Sequence, residues 1–217
     1  VSLPGLKTYN YHTQNGTAET VLNVIRKAKD FGLLLTLNVT VTKKNIDELY
    51  ETISNGIIYG ANNLLLNRFL PGGRGMNYRD VLELSKEETM YMIKVADSAL
   101  IDANRDGNVG TEIPYCITQN YNTQRLVVGT RCSAAIDFFV VGPEGYIRVC
   151  NHSQVQLHHV NEIEKLKYNE YWKTFTQKDY LPQTCIKCNF TNICDGGCRE
   201  SAHIITKNVR GCDCVLQ

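Results

Sequence analysis

The first 115 of the 217 residues contain no cysteine; all nine cysteines fall in the remainder. That imbalance sets two regions of different chemistry side by side. No apolar run approaches the ~20 residues of a bilayer span, so no membrane helix and no membrane partner are expected. No signal peptide opens the chain, which argues for a cytoplasmic location and against a disulfide framework. The odd cysteine count argues the same way. Neither sign of charge dominates: the formal net charge is +1. There is then no electrostatic case for a nucleic-acid partner. The chain also lacks an initial Met and begins "VSLPGLKTY". Val1–Leu3 reads as the end of a strand, so a fragment or processed chain is expected, with something upstream pairing with Val1–Leu3.

What is present suits a packed core. Hydrophobic residues make up 43% and charged residues 21%, a balance that excludes disorder. "ETVLNVIRKAKDFG" (residues 19–32) has helical spacing at Val21, Val24, Ile25 and Ala28, with Gly32 as its stop. "LLLTLNVTVT" (33–42) reads as a strand buried on both faces. Asn45 stands as a cap for the helix "IDELYETISNG". "NNLLLNRFL" (62–70) is the next strand, closed by "PGGRG". "SKEETMYMIKVADSALIDAN" opens with a capping box at Ser85 and Glu88. Alternating strands and helices predict βα units with a parallel sheet. The boundary is placed near Gly110–Pro114, giving units 1–112 and 113–217.

The second region is loop-rich. Pro143-Glu144-Gly145 marks a hairpin turn inside "DFFVVGPEGYIRV" (137–149), and a short helix is expected over 162–175. Phe138, Phe139, Tyr146 and Trp172 make too small a core for about a hundred residues. A metal staple is the expected remedy.

"CIKCNFTNICDGGCRES" (185–201) supplies it, with the spacing C-x2-C-x5-C-x3-C. Thiolates ligate both zinc and iron–sulfur clusters. Gly196-Gly197 allows the backbone to wrap closely around an inorganic core. Cys132 and Cys150 flank the hairpin, Cys116 lies in "EIPYC", and Cys212 and Cys214 close the chain in "GCDC". Four-thiolate sites take cysteines in fours: eight are used and one is left. Spacing alone leaves two clusters and two zinc ions equally open.

C-x12-G-x4-C, a gap, C-x2-C-x5-C-x3-C, a gap, then C resembles the SPASM domain of radical S-adenosylmethionine enzymes. "CDGGCRE" and "FFVVGPEGYIRVCNHS" are similar to that domain's core and hairpin. "VSLPG", "LTLNVTVTKKN" and "LNRFLPGGRG" resemble the fourth, fifth and sixth strands of the family's barrel, and "NRF-P-x-GRG" followed by "IPYC" resembles its peptide-modifying members. The implied fold is α/β: the C-terminal portion of a partial (β/α)6 TIM-like barrel (1–112), then a small loop-rich α+β iron–sulfur SPASM domain (113–217). The resemblance implies one auxiliary [4Fe–4S] cluster on Cys132, Cys150 and Cys198, with Cys116 as fourth ligand. It implies a second on Cys185, Cys188 and Cys194 with Cys214 or Cys212, Cys214 being favoured because it follows an Asp. The family's C-x3-C-x2-C motif is absent from these residues, so a third, S-adenosylmethionine-cleaving cluster is expected upstream and the fragment alone is expected to be inactive. Ser2, Asn38, Asn67 and Leu70 lie near strand ends, where such architectures bind cofactors. The implied activity is a radical modification, a thioether or other crosslink, in a ribosomally made precursor peptide. A reductant such as ferredoxin or flavodoxin is the implied partner. The alternatives are an enzyme of the same class acting on a small molecule or tetrapyrrole, or maturing another enzyme; or a non-catalytic iron–sulfur or zinc module.

Two further features read as ordinary. "DANRDGNVGTEI" (102–113) mimics a calcium loop at Asp102, Asn104, Asp106 and Gly107, but its last position is Ile113 rather than Glu. It reads as a solvated turn ending a helix. His152, His158 and His159 lack zinc spacing with the cysteines and read as surface residues or neighbours of ligands.

Overall fold

The structure is a computed structural model and describes residues 1–216. It divides into two compact units, one of Val1–Gly129 with Leu216, the other of Thr130–Val215.

The first unit is built on a parallel sheet in the order β1 (Thr36–Val41), β2 (Asn63–Arg68), β3 (Asp106–Val109), β4 (Leu126–Val128). Ser2 adds a parallel bridge to Asn38 on the free side of β1. The sheet therefore runs on past Gly110–Pro114. The sequence reading missed β3 because Asp-Gly-Asn-Val is poor strand material, and β4 because Leu-Val-Val is too short to show a pattern. The pairing of β3 with β2 decides the matter.

Before the sheet come α1 (Tyr9–Thr13) and α2 (Ala18–Asp30); α3 (Leu49–Tyr59) links β1 to β2, and α4 (Arg79–Leu82) and α5 (Lys86–Ala103) link β2 to β3. The capping box of α5 is made: Glu88 N–H donates to Ser85 Oγ at 3.1 Å, and Ser85 N–H donates to Glu88 Oε2 at 2.7 Å. The expected cap at Asn45 is not. Asn45 is buried and its side chain ties the chain together instead. Its Oδ1 accepts from Thr42 N–H at 2.8 Å, and its Nδ2 donates to Pro4 O at 2.7 Å and Thr40 O at 2.9 Å.

The strand expected to be buried on both faces is not. Leu37, Val39 and Val41 are buried, while Thr36 and Thr40 are exposed and Asn38 lies between. β2 alternates in the same way, with Leu64 and Leu66 buried. Helices cover one face only, so the side-chain period of two separates a dry face from an open one. Leu33 and Leu34 lie outside the strand, and Leu34 is 85% exposed.

The second unit begins after α6 (Tyr115–Thr118), which closes the helices of the first. It holds the expected hairpin, β5 (Val140–Val141) antiparallel to β6 (Ile147–Arg148), turned at Gly145 with φ +83. The helix expected over 162–175 is two pieces: a kinked 3-10 stretch, Val160–Tyr168, and α7 (Glu170–Thr176), capped by Asn169. Last is α8 (Arg199–Thr206). The core is not the expected aromatic set. Phe138, Phe139 and Tyr146 are each at least 40% exposed. Cys132, Ala134, Ala135, Val149, Cys150, Phe175 and Tyr180 form the buried group, with Trp172 against its edge. Two aromatics, two thiols and three small aliphatic residues make up this group, a small core for a module of this length.

Candidate metal centre and sheet face

The cysteine run forms a series of tight turns. Pro182 O accepts from Cys185 N–H at 2.8 Å, and Cys185 O accepts from Cys188 N–H at 3.0 Å. Gly196 and Gly197 both take positive φ, +77 and +88. A Cβ on Gly196 would also stand 2.9 Å from the Pro182 ring, so only glycine suits this turn. The turn aims the Gly196 N–H at Cys194 Sγ, 3.4 Å away. Burial pushes the Cys185 thiol up; the Thr184 hydroxyl opposes this, and Cys194 and Cys188 are near enough to add to it. Thiols held close and given an N–H donor suit a ligand that stabilises their ionised form.

Buried acids hold the remaining cysteine backbones. Asp195, 5% exposed, accepts from Cys132 N–H at 2.9 Å, Lys178 Nζ at 3.0 Å and Tyr180 OH at 3.1 Å. Asp213 accepts from Cys198 N–H at 2.6 Å and Val215 N–H at 3.0 Å. Sequence reading assigned neither acid a partner; Asp213 entered only as the residue before Cys214. Cys132, Cys150, Cys198 and Cys214 are buried, while Cys185, Cys188, Cys194 and Cys212 are half-buried. Cys132 and Cys150 share one buried group, while Cys198 caps α8. Cys116 lies exposed on α6 in the first unit. The terminal pair differ. Cys212 Sγ lies 3.6 Å from the hydroxyl of Thr184, the neighbour of Cys185, whereas Cys214 Sγ accepts from Ser201 Oγ at 2.9 Å.

Among the described residues, no three His, Cys, Asp or Glu side chains gather as ligands of a single ion. A tetrahedral zinc with Zn–S near ~2.3 Å holds its sulfurs within about 4 Å of one another. A four-iron core is bulkier and spreads its thiolates wider. The donor set, thiols with backbone N–H groups and glycine turns, fits such a core in kind. The calcium-like loop is not a cation site: the Arg125 guanidinium donates to Asn104 Oδ1 at 2.6 Å and Asp106 Oδ1 at 3.2 Å, and Asp102 accepts from Tyr50 OH.

The open sheet face carries the other candidates. Asn67 Nδ2 donates to Asn38 Oδ1 at 2.9 Å, and Asn67 Oδ1 accepts from Thr111 Oγ1 at 3.4 Å. Ser2 lies beside Asn38 through the backbone bridge. Leu70 follows β2 and is half-buried. Gly110 makes room for the row: its Cβ would meet Asn67 Oδ1 at 2.6 Å. Thr111 escaped sequence reading because it follows an unrecognised strand. At the C-terminal end of β1, Glu48 accepts from Lys7 N–H at 2.7 Å, from Thr8 N–H at 3.0 Å and from the Thr8 hydroxyl. His12 lies 3.5 Å from Thr42 Oγ1. No helix among the described residues is long and apolar enough to cross a membrane.

No family model matches the chain. It is 26% identical over 187 residues to the PqqA peptide cyclase of Ruegeria pomeroyi, covering 82% of this chain and 48% of the relative. It is 23% identical over 200 residues to that of Granulibacter bethesdensis, covering 88% and 51%. The chain thus spans about half the length of the curated relatives it matches. The fold is similar to Streptococcus suis SuiB bound to S-adenosylmethionine, with a TM-score of 0.64 and 14% identity over 100% of this chain and 53% of that one. A second SuiB structure gives 0.62 at 12% identity, covering 98% and 53%. In sequence, then, the chain is similar to two peptide cyclases, and in fold it is similar to SuiB.

Proposed function

We propose that this chain is part of an enzyme that modifies a ribosomally made peptide by radical chemistry started from S-adenosylmethionine. In this reading the first unit is a portion of a partial barrel and the second a SPASM-type auxiliary-cluster domain. The observation that carries it is the run of tight turns that brings Cys185, Cys188 and Cys194 to one glycine pair, in a module whose small core takes in Cys132 and Cys150. The likeness to two peptide cyclases supports the substrate class. Cys185, Cys188, Cys194 and Cys212 are the proposed ligands of one [4Fe–4S] cluster; Cys132, Cys150 and Cys198 are proposed for the other. When bound, the clusters supply one-electron chemistry. The chain's residues hold the thiolates, exclude water and, through the Asn38–Asn67–Thr111 row, present a hydrogen-bonding face for cofactor or peptide.

The test has two arms. Anaerobic reconstitution with iron and sulfide is expected to give bound iron, bound sulfide and visible charge-transfer absorbance. Colourless protein holding zinc overturns the cluster reading in favour of a structural metal module. Full-length protein, given S-adenosylmethionine, a low-potential reductant and a precursor peptide encoded beside it, is expected to yield 5′-deoxyadenosine and a peptide lighter by two hydrogens. Turnover on a small molecule with the peptide untouched refutes the substrate class.

A further inference from the structure

Among the described residues, Arg199 is the largest fully buried side chain, with 0% exposure. Its Nε donates to Gly197 O at 3.1 Å. Its Nη1 reaches Tyr180 O at 3.4 Å, Val209 O at 3.1 Å and Gly211 O at 3.0 Å, and its Nη2 donates to Gly196 O. Every acceptor is a neutral backbone carbonyl. Among the described residues no carboxylate lies within ion-pair distance of it.

A guanidinium cannot shed its proton inside a protein. Burying one costs several kcal/mol even after relaxation, and removing its partners leaves a charge uncompensated. Carbonyl dipoles offset part of that cost. The buried acids of the module are engaged elsewhere. Asp195 takes Lys178, Tyr180 and Cys132; Asp213 takes Cys198 and Val215; Glu200 takes Tyr171 OH at 2.7 Å, with His203 beside it. Meanwhile Arg199 grips the same residue that serves the cysteine run. Gly196 offers its N–H to Cys194 Sγ and its carbonyl to the guanidinium, whose Nη2 would stand 3.5 Å from a Cβ there. A core held by four thiolates is a net anion, and gains a further negative charge when it takes one electron from a reductant.

We propose that Arg199 is the counter-cation of the cluster on Cys185, Cys188 and Cys194, and that its charge raises that cluster's reduction potential while its grip on the Gly196–Gly197 turn shapes the site. This rests on the ligand reading above. Arg199 is a positioning residue: it touches the backbone that carries the ligands, and its field favours the reduced form.

The experiment compares wild-type, Arg199→Lys and Arg199→Gln holoproteins by anaerobic redox titration followed by electron paramagnetic resonance, with iron counted in each sample. Arg199→Gln is expected to raise the oxidised-to-reduced ratio at fixed potential at least tenfold, a fall of ~59 mV for a one-electron couple. Arg199→Lys keeps the charge and is expected to hold the wild-type potential despite a lower Tm. A loaded Gln variant with unchanged potential and only a lower Tm overturns the proposal and leaves Arg199 a strut. Wild-type protein that binds no iron refutes the ligand reading instead. Should the Gln variant fail to fold, 15N-arginine-labelled holoprotein decides, with Arg131, whose guanidinium donates to Asn192 O in the same cysteine run, replaced by lysine so that it adds no signal: nitrogen hyperfine coupling at the reduced cluster is expected, and its absence refutes the placement.

Discussion

Asp213 accepts a 2.6 Å hydrogen bond from the backbone N–H of Cys198, fifteen positions earlier. Asp195 does the same for Cys132 across a separation of 63. In both cases a buried carboxylate fixes the backbone beside a thiol, which leaves the sulfur itself to other partners. Charge-assisted bonds of this kind are roughly twice as strong as neutral ones.

Asp195 gathers three donors in one buried place, so its removal strands them together. Asp195→Ala is expected to cost about 2–4 kcal/mol in urea denaturation, and Asp195→Asn less, because an acceptor remains. A loss under about 0.5 kcal/mol, the usual range of a surface change, contradicts the arrangement.

The two terminal cysteines separate by their neighbours. Cys212 stands by Thr184 and hence by Cys185, while Cys214 is buried against Ser201. Cys212→Ser is therefore expected to lose the iron of one cluster on anaerobic reconstitution. Cys214→Ser is expected to keep it and to show its effect on Tm. The reverse pattern assigns the ligand to Cys214.

Gly56 lies on α3 where it meets β1. A Cβ there would fall 2.5 Å from Leu37 Cδ2, and Leu37 is 1% exposed and cannot swing aside. Alanine gains ~1 kcal/mol of helix propensity over glycine. Overpacking costs about 1–3 kcal/mol. Gly56→Ala is expected to be destabilising in thermal unfolding, and a raised Tm is the contrary result.

The segment Gly5–Gln14 is held at the end of β1 by groups that titrate. Burial lowers the His12 pKa, partly opposed by Glu48. Burial pulls the Glu48 carboxyl up, but hydrogen bonds from Thr8, Lys7 and Leu6 outweigh it and hold the group below its usual value. Both folded values lie below the unfolded ones, so the unfolded chain takes up protons first as pH falls. Stability from this site is complete above the ordinary histidine range, about 6.5, and is lost first through His12 and then, below about 4.3, through Glu48. His12→Asn is expected to flatten the upper part of the stability–pH curve and Glu48→Gln the lower part. Unfolding midpoints that do not move between about pH 7 and about pH 5 rule this out.

Much of the architecture was legible in residue order. The Ser85–Glu88 capping box, the helical spacing after Thr17, the Pro143–Gly145 turn and the clustering of thiols in the second half are local patterns, and local patterns survive folding. Partners distant in sequence were not legible. Asp106–Val109 carries no strand signal and becomes one through pairing with β2. The turn that mimics a calcium loop is filled by Arg125, from about twenty positions away. Asn45 looks like a helix cap and instead binds Pro4.

By itself the sequence determined the chemical kind of the protein: parallel βα units, then a cysteine-dense module with glycine turns, because spacing and side-chain type are enough to say which ligands and which backbone shapes are on offer. Only the tertiary structure decided which face of the sheet stays open, which terminal cysteine stands near Cys185, and that a buried cation lies behind the thiols. Those depend on groups far apart in the chain meeting in a space from which water is excluded, and no local pattern encodes such a meeting.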